Sequence, residues 1–370
     1  MTIARGLEGV VVCNSEISSI VDGVLTYRGY NIDDLADNAT FEEVAFLLWN
    51  GYLPTKAELD QLKEKLEQHA EVPKAAIHQL KMFPKDVHPM SVLRTVVSSL
   101  ALFDEEAEDN SVEANKNKAI KLTAKIPTVI TAYARIQQGL EPVAPKKGLG
   151  FASNFLYMLT GKEPTPVSVK AFDKALVLHA DHELNASTFA ARVTTGTLSD
   201  IYSAVTTAIG TLKGPLHGGA NEQVMATLEE IATMDRIQPV IQAKLDNKEK
   251  IMGFGHRVYK NGDPRAKHLR EMSRQLASQT GDTKWFDMST EIEKLVYEKK
   301  GLQPNVDFYS ATVYTYLGIP RKLFTPIFAM SRVTGWTAHI LEQYAHNRLI
   351  RPRAEYVGKT NQVYVSVDQR

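Results

Sequence analysis

The sequence predicts an all-α protein with minor β structure, and three observations carry that expectation. Apolar residues recur at spacings of three and four through most of the chain, as on the buried face of a helix. Two consecutive segments open with the Thr-x-x-Glu pattern of a capping box. Alternating stretches, by contrast, are too short and too few to build a central sheet.

In chain order, GVVVCN (9–14) and VLTYRGY (24–30) alternate briefly and predict hairpin strands. The segment TFEEVAFLLW that follows places Thr40 and Glu43 at capping-box spacing and stops at Gly51. Thr55 and Glu58 repeat that start, and Leu59, Leu62 and Leu66 then share one face. Helical periodicity continues around 90–103, 116–136, 168–181, 197–212, 221–234, 264–279, 289–300, 306–317 and 322–346. QVYVSV (362–367) is the last strand-like stretch.

With 370 residues, 44% of them apolar, the chain can bury the core of a two-domain protein. Lysine plus arginine number 43, as do aspartate plus glutamate, so no net field draws it to nucleic acid or to a membrane surface. A polyanionic ligand must be met locally. One cysteine, Cys13, excludes an internal disulfide and fits a reducing, cytoplasmic setting. No apolar run suits a secretory signal or a membrane span, so the triplets at Asn38 and Asn185 are read as chance matches to the glycosylation pattern. GFGHRV (253–258) lacks the third glycine and the preceding strand of a dinucleotide fingerprint.

Four places break the helical pattern. In GPLHGGAN, His217 follows Pro215 and precedes Gly218 and Gly219, with Asn221 a candidate cap for a helix whose apolar stripe is Val224, Leu228 and Ile231. A histidine just ahead of a helix N-terminus is disfavoured as imidazolium and can donate to an oxygen gaining charge; the ordinary alternative is a turn residue. His256 has the same glycine-flanked setting, and Arg257, Lys260 and Arg265 follow it in GFGHRVYKNGDPRA. Asp263 and Pro264 read as a helix start, which puts Arg265 in a first turn, where a cation opposes the helix dipole and suggests an anionic partner. Asp307 opens VDFYSATVYTYLG between apolar neighbours that can raise its pKa into the range of a general base; capping is its ordinary role.

LHADHELNAST places His179 and His182 three apart on a helix, so that they share a face, and a metal pair is weighed against buried histidines bonded to backbone. Arg332 lies in a segment apolar on nearly all sides and needs a carboxylate or phosphate partner. Arg348, Arg351 and Arg353 surround a proline in NRLIRPRAEY, where solvent exposure is the alternative. Together the arginines predict a small polyanionic acid as ligand.

These blocks, with RGLEGV and LTYRGYNIDDLADNATFEEVAFLLW ahead of them, occur in the order found in citrate synthases, and the chain resembles the shorter bacterial type nearly end to end. The resemblance implies condensation of acetyl-CoA with oxaloacetate and hydrolysis of citryl-CoA to citrate and CoA, without a cofactor or metal. By it, Asp307 removes a methyl proton, His217 stabilises the enol or enolate, and His256 polarises and protonates the oxaloacetate ketone. His182, Arg265 and Arg332 would hold oxaloacetate, with Arg351 supplied across a homodimer interface. Gly253, Gly255, Arg257 and Lys260 would contact CoA. It also implies a large helical domain of 1–218 and 319–370 and a smaller one, 219–318, closing over the substrates. A 2-methylcitrate synthase acting on propionyl-CoA would use the same residues. A metal-dependent hydrolase built on His179 and His182, or a noncatalytic helical scaffold, would be the readings from other classes.

Overall fold

The computed structural model describes residues 4–7, 9–256, 258–259 and 262–370. Helices α1 (Ile32–Asn38), α2 (Phe41–Asn50), α3 (Lys56–His69), α4 (Lys74–Met82), α5 (Pro89–Leu100), α6 (Val112–Gln137), α7 (Phe151–Thr160) and α8 (Pro166–His179) make up the first half. The rest are α9 (Ala186–Gly196), α10 (Ile201–Leu212), α11 (Ala220–Ile231), α12 (Ile237–Asp246), α13 (Ala266–Thr280), α14 (Lys284–Lys300), α15 (Val306–Tyr316) and α16 (Phe324–Ala345). The all-α expectation holds.

The β structure is one antiparallel sheet of β1 (Ser18–Val21), β2 (Val24–Tyr27) and β3 (Tyr30–Asn31). Asp22 and Gly23 close the first hairpin in left-handed backbone (φ 51° and 80°), the geometry that matches strand twist. Leu25 and Tyr27 point into the core. VLTYRGY therefore pairs as expected, whereas GVVVCN and QVYVSV do not form strands. Val11, Val363 and Tyr364 are more than four-fifths exposed (87%, 85% and 82%), with no neighbouring strand to receive their backbone groups.

Both capping boxes form. Thr40 accepts from the Glu43 N–H while Glu43 accepts from the Thr40 N–H at 2.7 Å, and Thr55 and Glu58 do the same. Gly51 ends α2 at φ 86°. Five helices, α1, α4, α7, α9 and α12, were not expected from the periodicity. They run only 7 to 11 residues, too short for a period to stand out or for a helix to persist without packing.

α16 runs through the core with Ile327, Met330, Val333, Trp336 and Ile340 fully buried, and packs on α2, α6, α8, α9 and α10. It crosses the end of α8 at Gly335, where a Cβ would lie 2.3 Å from Asp181 Oδ1. α11 and α13 both pack on α15, α12 packs on α14, and α13 also meets α8. No helix among the described residues is long and apolar enough to cross a membrane.

Candidate active site

α8 ends at His179 with Ala180 as its cap, so His182 lies in the following loop and does not share a helix face with His179. The helix stops where α16 meets it: Gly335 donates its N–H to Ala180 O at 3.1 Å. His179 turns into the core, donates from Nδ1 to Ala175 O at 2.7 Å, and packs on Phe328 and Tyr314. Burial lowers its pKa to about 3. His179 and His182 thus do not form the metal pair weighed as an alternative, and among the described residues no group of three or more His, Cys, Asp or Glu side chains could hold a metal ion.

His182 instead meets His256 and Tyr259. Its Nε2 lies 3.0 Å from the Tyr259 hydroxyl, and its ring stands edge-on to His256 with centroids 5.2 Å apart. Burial, then the charges of Arg265 and Arg332, hold His182 well below the usual histidine pKa. His256 Nδ1 accepts from the backbone N–H groups of Val258 (3.0 Å) and Tyr259 (3.3 Å). Those groups can only donate, so the proton of neutral His256 sits on Nε2. Burial and then Arg265 lower its pKa as well.

The loop carrying His256 is zipped to the start of α15. Asn305 N–H donates to Gly253 O (2.8 Å), Asn305 Nδ2 donates to Gly255 O (2.9 Å), and Asn305 Oδ1 accepts from the Asp307 N–H (3.0 Å). One asparagine therefore caps the helix of Asp307 and fixes the loop of His256. Gly253 has φ 83°, and a Cβ there would lie 2.7 Å from Val224 Cγ2 and 2.9 Å from Phe308 Cδ2, so this glycine lets the loop lie against α11 and α15. Gly255 shares the left-handed backbone at φ 72°. Asp307 sits in the first turn of α15, as expected, and burial, aided by the Asp263 charge, raises its pKa to about 6 against the opposing pull of Arg265 and Arg332.

The two helix starts compare differently with the sequence reading. Asp263 Oδ1 accepts the Arg265 N–H at 3.1 Å, a capping bond, and Arg265 has helical backbone just ahead of Ala266, where regular α13 begins. The same carboxylate also takes the Arg265 guanidinium (Nε 2.9 Å, Nη2 2.8 Å) and the Val306 N–H (3.0 Å). α11 begins at Ala220 with Gly219 as N-cap at φ 85°, so Asn221 is a buried first-turn residue and not the cap. His217 does precede that helix. Its Nε2 is engaged by Ser187, Oγ at 2.8 Å and backbone N–H at 3.3 Å, and Trp336 Nε1 donates to the same hydroxyl at 3.0 Å. Nδ1 is the nitrogen left to face a ligand. Burial, then the Arg332 charge, lowers the His217 pKa to about 4.

Arg332 is 2% exposed, donates only from Nε, to His179 O at 2.7 Å, and stacks its guanidinium 4.6 Å from the Phe328 ring centroid. Among the described residues it forms no ion pair, and burial pulls its pKa down to about 10. Arg265 differs in having Asp263 beside it. Arg351 is exposed and lines a separate cavity of about 1130 Å³ with Arg28, Arg192 and Glu342, whose lining includes none of His182, His217 and His256. Arg257 and Lys260 lie outside the described residues.

Sequence reasoning passed over Tyr259, Ser187, Trp336 and Asn305, whose partners come from distant segments. One local signal existed. The Asn185 triplet is the N-cap of α9, Oδ1 accepting from the Ser187 and Thr188 N–H groups at 3.1 Å each, which brings Ser187 to His217.

The family model "Citrate synthase, C-terminal domain" matches residues 6–353. The chain is 59% identical to citrate synthase 2 of Bacillus subtilis over all of both chains. It is 45% identical to the 2-methylcitrate synthase of Mycobacterium tuberculosis, covering 98% of this chain and 92% of that one. The fold matches the ternary complex of carboxymethyl coenzyme A and oxaloacetate with citrate synthase from the archaeon Thermoplasma acidophilum, with a TM-score of 0.94, 34% identity and full coverage of both chains. Family model, relatives and fold agree, and the chain belongs to the citrate synthase family.

Proposed function

We propose that the protein condenses acetyl-CoA with oxaloacetate and hydrolyses the citryl-CoA formed, releasing citrate and CoA at the entry to the tricarboxylic acid cycle. The observation that carries this reading is the opposed displacement of acid and base: Asp307 is raised to about 6 while His217 is lowered to about 4 and His256 is also lowered. A carboxylate and two neutral imidazoles are what enolisation beside a thioester needs at neutral pH.

Asp307 takes a proton from the thioester methyl group, and His217, protonated on Nδ1 with Nε2 accepting from Ser187, donates to the carbonyl oxygen as negative charge develops. The enol carbon attacks the oxaloacetate ketone, whose oxygen receives the Nε2 proton of His256. Water then cleaves the thioester and the CoA thiol leaves. Arg332, buried and without a carboxylate partner among the described residues, Arg265 and His182 bind the oxaloacetate carboxylates and carbonyl. Loss of one donor aimed at a developing oxyanion typically costs about a hundred- to a thousandfold in rate.

The helices of 219–318 form a smaller domain that closes against 1–218 and 319–370, keeping water from the enolate. Gly253, Gly255, Arg257 and Lys260 meet CoA. A homodimer brings Arg351 to the neighbouring site, with the cytoplasm as its setting and no cofactor or metal required. The second reading, 2-methylcitrate synthase, is supported by the identity to that enzyme from Mycobacterium tuberculosis. One methylene is worth only about 1–3 kcal/mol of discrimination, so the same residues serve either thioester.

Thiol release from acetyl-CoA and propionyl-CoA, with and without oxaloacetate, tests the proposal. Release that requires oxaloacetate and is faster with acetyl-CoA supports it. Faster release from propionyl-CoA favours the second reading, and none from either thioester overturns both.

A further inference from the structure

A buried chain of charged and polar groups runs behind His182. Arg192 on α9 donates to His339 Nδ1 from Nη2 at 2.9 Å and from Nε at 3.2 Å, and to Gln343 Oε1 from Nη1 at 3.1 Å. A guanidinium only donates, so His339 Nδ1 keeps its lone pair and the ring proton sits on Nε2. That nitrogen lies 3.2 Å from Asp181 Oδ2, which it can only serve as donor. Arg192, His339 and Asp181 are 2%, 1% and 0% exposed, so solvent cannot replace any of these partners.

Asp181 in turn fixes the backbone on both sides of His182. Its Oδ2 accepts from Ser18 Oγ at 2.5 Å and from the Glu183 N–H at 3.2 Å, while Ser18 Oγ accepts from the same N–H at 2.9 Å. Tyr27 donates its hydroxyl to Asp181 O at 3.0 Å. Glu183 is held in left-handed backbone at φ 53°, a conformation a glutamate adopts only when its surroundings impose it. Gly335 makes room for the aspartate, since a Cβ there would overlap Asp181 Oδ1, and among the described residues that buried oxygen has no hydrogen-bond partner. The outer end of the chain is Glu342, paired with Arg192 and accepting the Glu16 N–H at 2.8 Å, on the cavity that Arg351 lines.

We propose that Asp181 and His339 are positioning residues for oxaloacetate binding: His339, locked by Arg192 as a donor from Nε2, holds Asp181 so that the loop presents His182 to the substrate. The inference rests on the reading of His182 as an oxaloacetate contact. It assigns the loop's pose to one proton, on His339 Nε2, rather than to packing alone.

Two substitutions separate the ends of the imidazole. His339→Gln carries an amide near the Nε2 position and keeps a donor for Asp181. His339→Asn carries its amide near Nδ1, keeps an acceptor for Arg192 and gives up the donor. The expected result is a rise of at least about tenfold in KM for oxaloacetate in His339→Asn, with kcat and KM for acetyl-CoA within about twofold of the parent. His339→Gln, the conservative variant, restores KM to within about threefold of the parent. Thermal unfolding checks each protein; if His339→Asn does not fold, Asp181→Asn is judged by the same split in constants. An unchanged KM for oxaloacetate, a parallel rise in both KM values, or equal losses in the two His339 variants overturns the inference while the function stands. A parent enzyme without oxaloacetate-dependent thiol release overturns the functional reading, and this inference with it.

Discussion

Arg265 and Asp263 hold each other in a bidentate pair within the candidate site, with Nε 2.9 Å from Oδ1 and Nη2 2.8 Å from Oδ2. Both are nearly out of solvent, 2% and 6% exposed. The Val306 N–H also donates to Asp263, so the pair joins the start of α13 to the helix that carries Asp307. Arg265 is thereby oriented before any ligand arrives, whereas Arg332 has no such partner among the described residues.

Breaking the pair should destabilise the protein. Asp263→Ala leaves a buried guanidinium uncompensated, for an expected loss of about 3–5 kcal/mol in urea unfolding at pH 7. Burial works against the Asp263 charge, but the bonds from Arg265 outweigh it and hold the carboxyl below its ordinary pKa. Its contribution is therefore complete above the unfolded value of about 3.9 and is lost as pH falls through the lower folded value. Unchanged unfolding of Asp263→Ala would show that the pair carries no stability.

Asp307 has the opposite sign. Its folded pKa of about 6 exceeds the unfolded value, so the native state binds the proton more tightly and stability falls as pH rises from about 4 to 6. Asp307→Asn removes that penalty. At pH 7 the variant should be more stable than the parent by on the order of 1–3 kcal/mol, seen as a higher Tm in calorimetry, with the difference vanishing near pH 4. A lower Tm at pH 7 would mean that the site does not strain this carboxylate.

Gly253→Ala tests the packing of the His256 loop. A methyl group at φ 83° would overlap Val224 and Phe308, for an expected cost of roughly 2–4 kcal/mol. The loop should shift, raising KM for both substrates, and steady-state kinetics with thermal unfolding checks both effects.

Much of this was legible locally. Thr40 with Glu43 and Thr55 with Glu58 announce their helices because a capping box is completed within four residues, and VLTYRGY alternates as a hairpin strand does, although the Asp22 and Gly23 turn that closes the hairpin was passed over. His217, His256 and Asp307 stood out because glycine, proline or apolar neighbours surround an ionisable group. What failed depended on distant chain. The helix through His179 stops where α16 crosses it, and Asp263, besides accepting the Arg265 N–H as a cap does, also binds the Arg265 guanidinium and the distant Val306 N–H. Tyr259 and Trp336 gave no warning, since each acquires its role from a partner in another segment.

Arg351 allows a test of the dimer. If each site borrows Arg351 from the neighbour, Asp307→Asn and Arg351→Ala are each defective, but a hybrid dimer has one site with both lesions and one intact. Random exchange of the two variants should then restore about a quarter of parent activity, since half the dimers are hybrids with one of two sites working. Mixing that restores nothing would place Arg351 in its own subunit's site, and an Arg351→Ala variant as active as the parent would place it outside catalysis.

The central claim is that Asp307 is the base that turns a thioester methyl group into a carbon nucleophile. The most direct measurement is oxaloacetate-dependent thiol release from acetyl-CoA between pH 5 and 8, in the parent and in Asp307→Asn, at saturating substrate. The parent rate should rise about tenfold per pH unit below about 6 and level off above it, and the variant should be at least about a hundredfold slower and lack that rise. An Asp307→Asn rate equal to the parent's, with the same pH profile, would contradict the account.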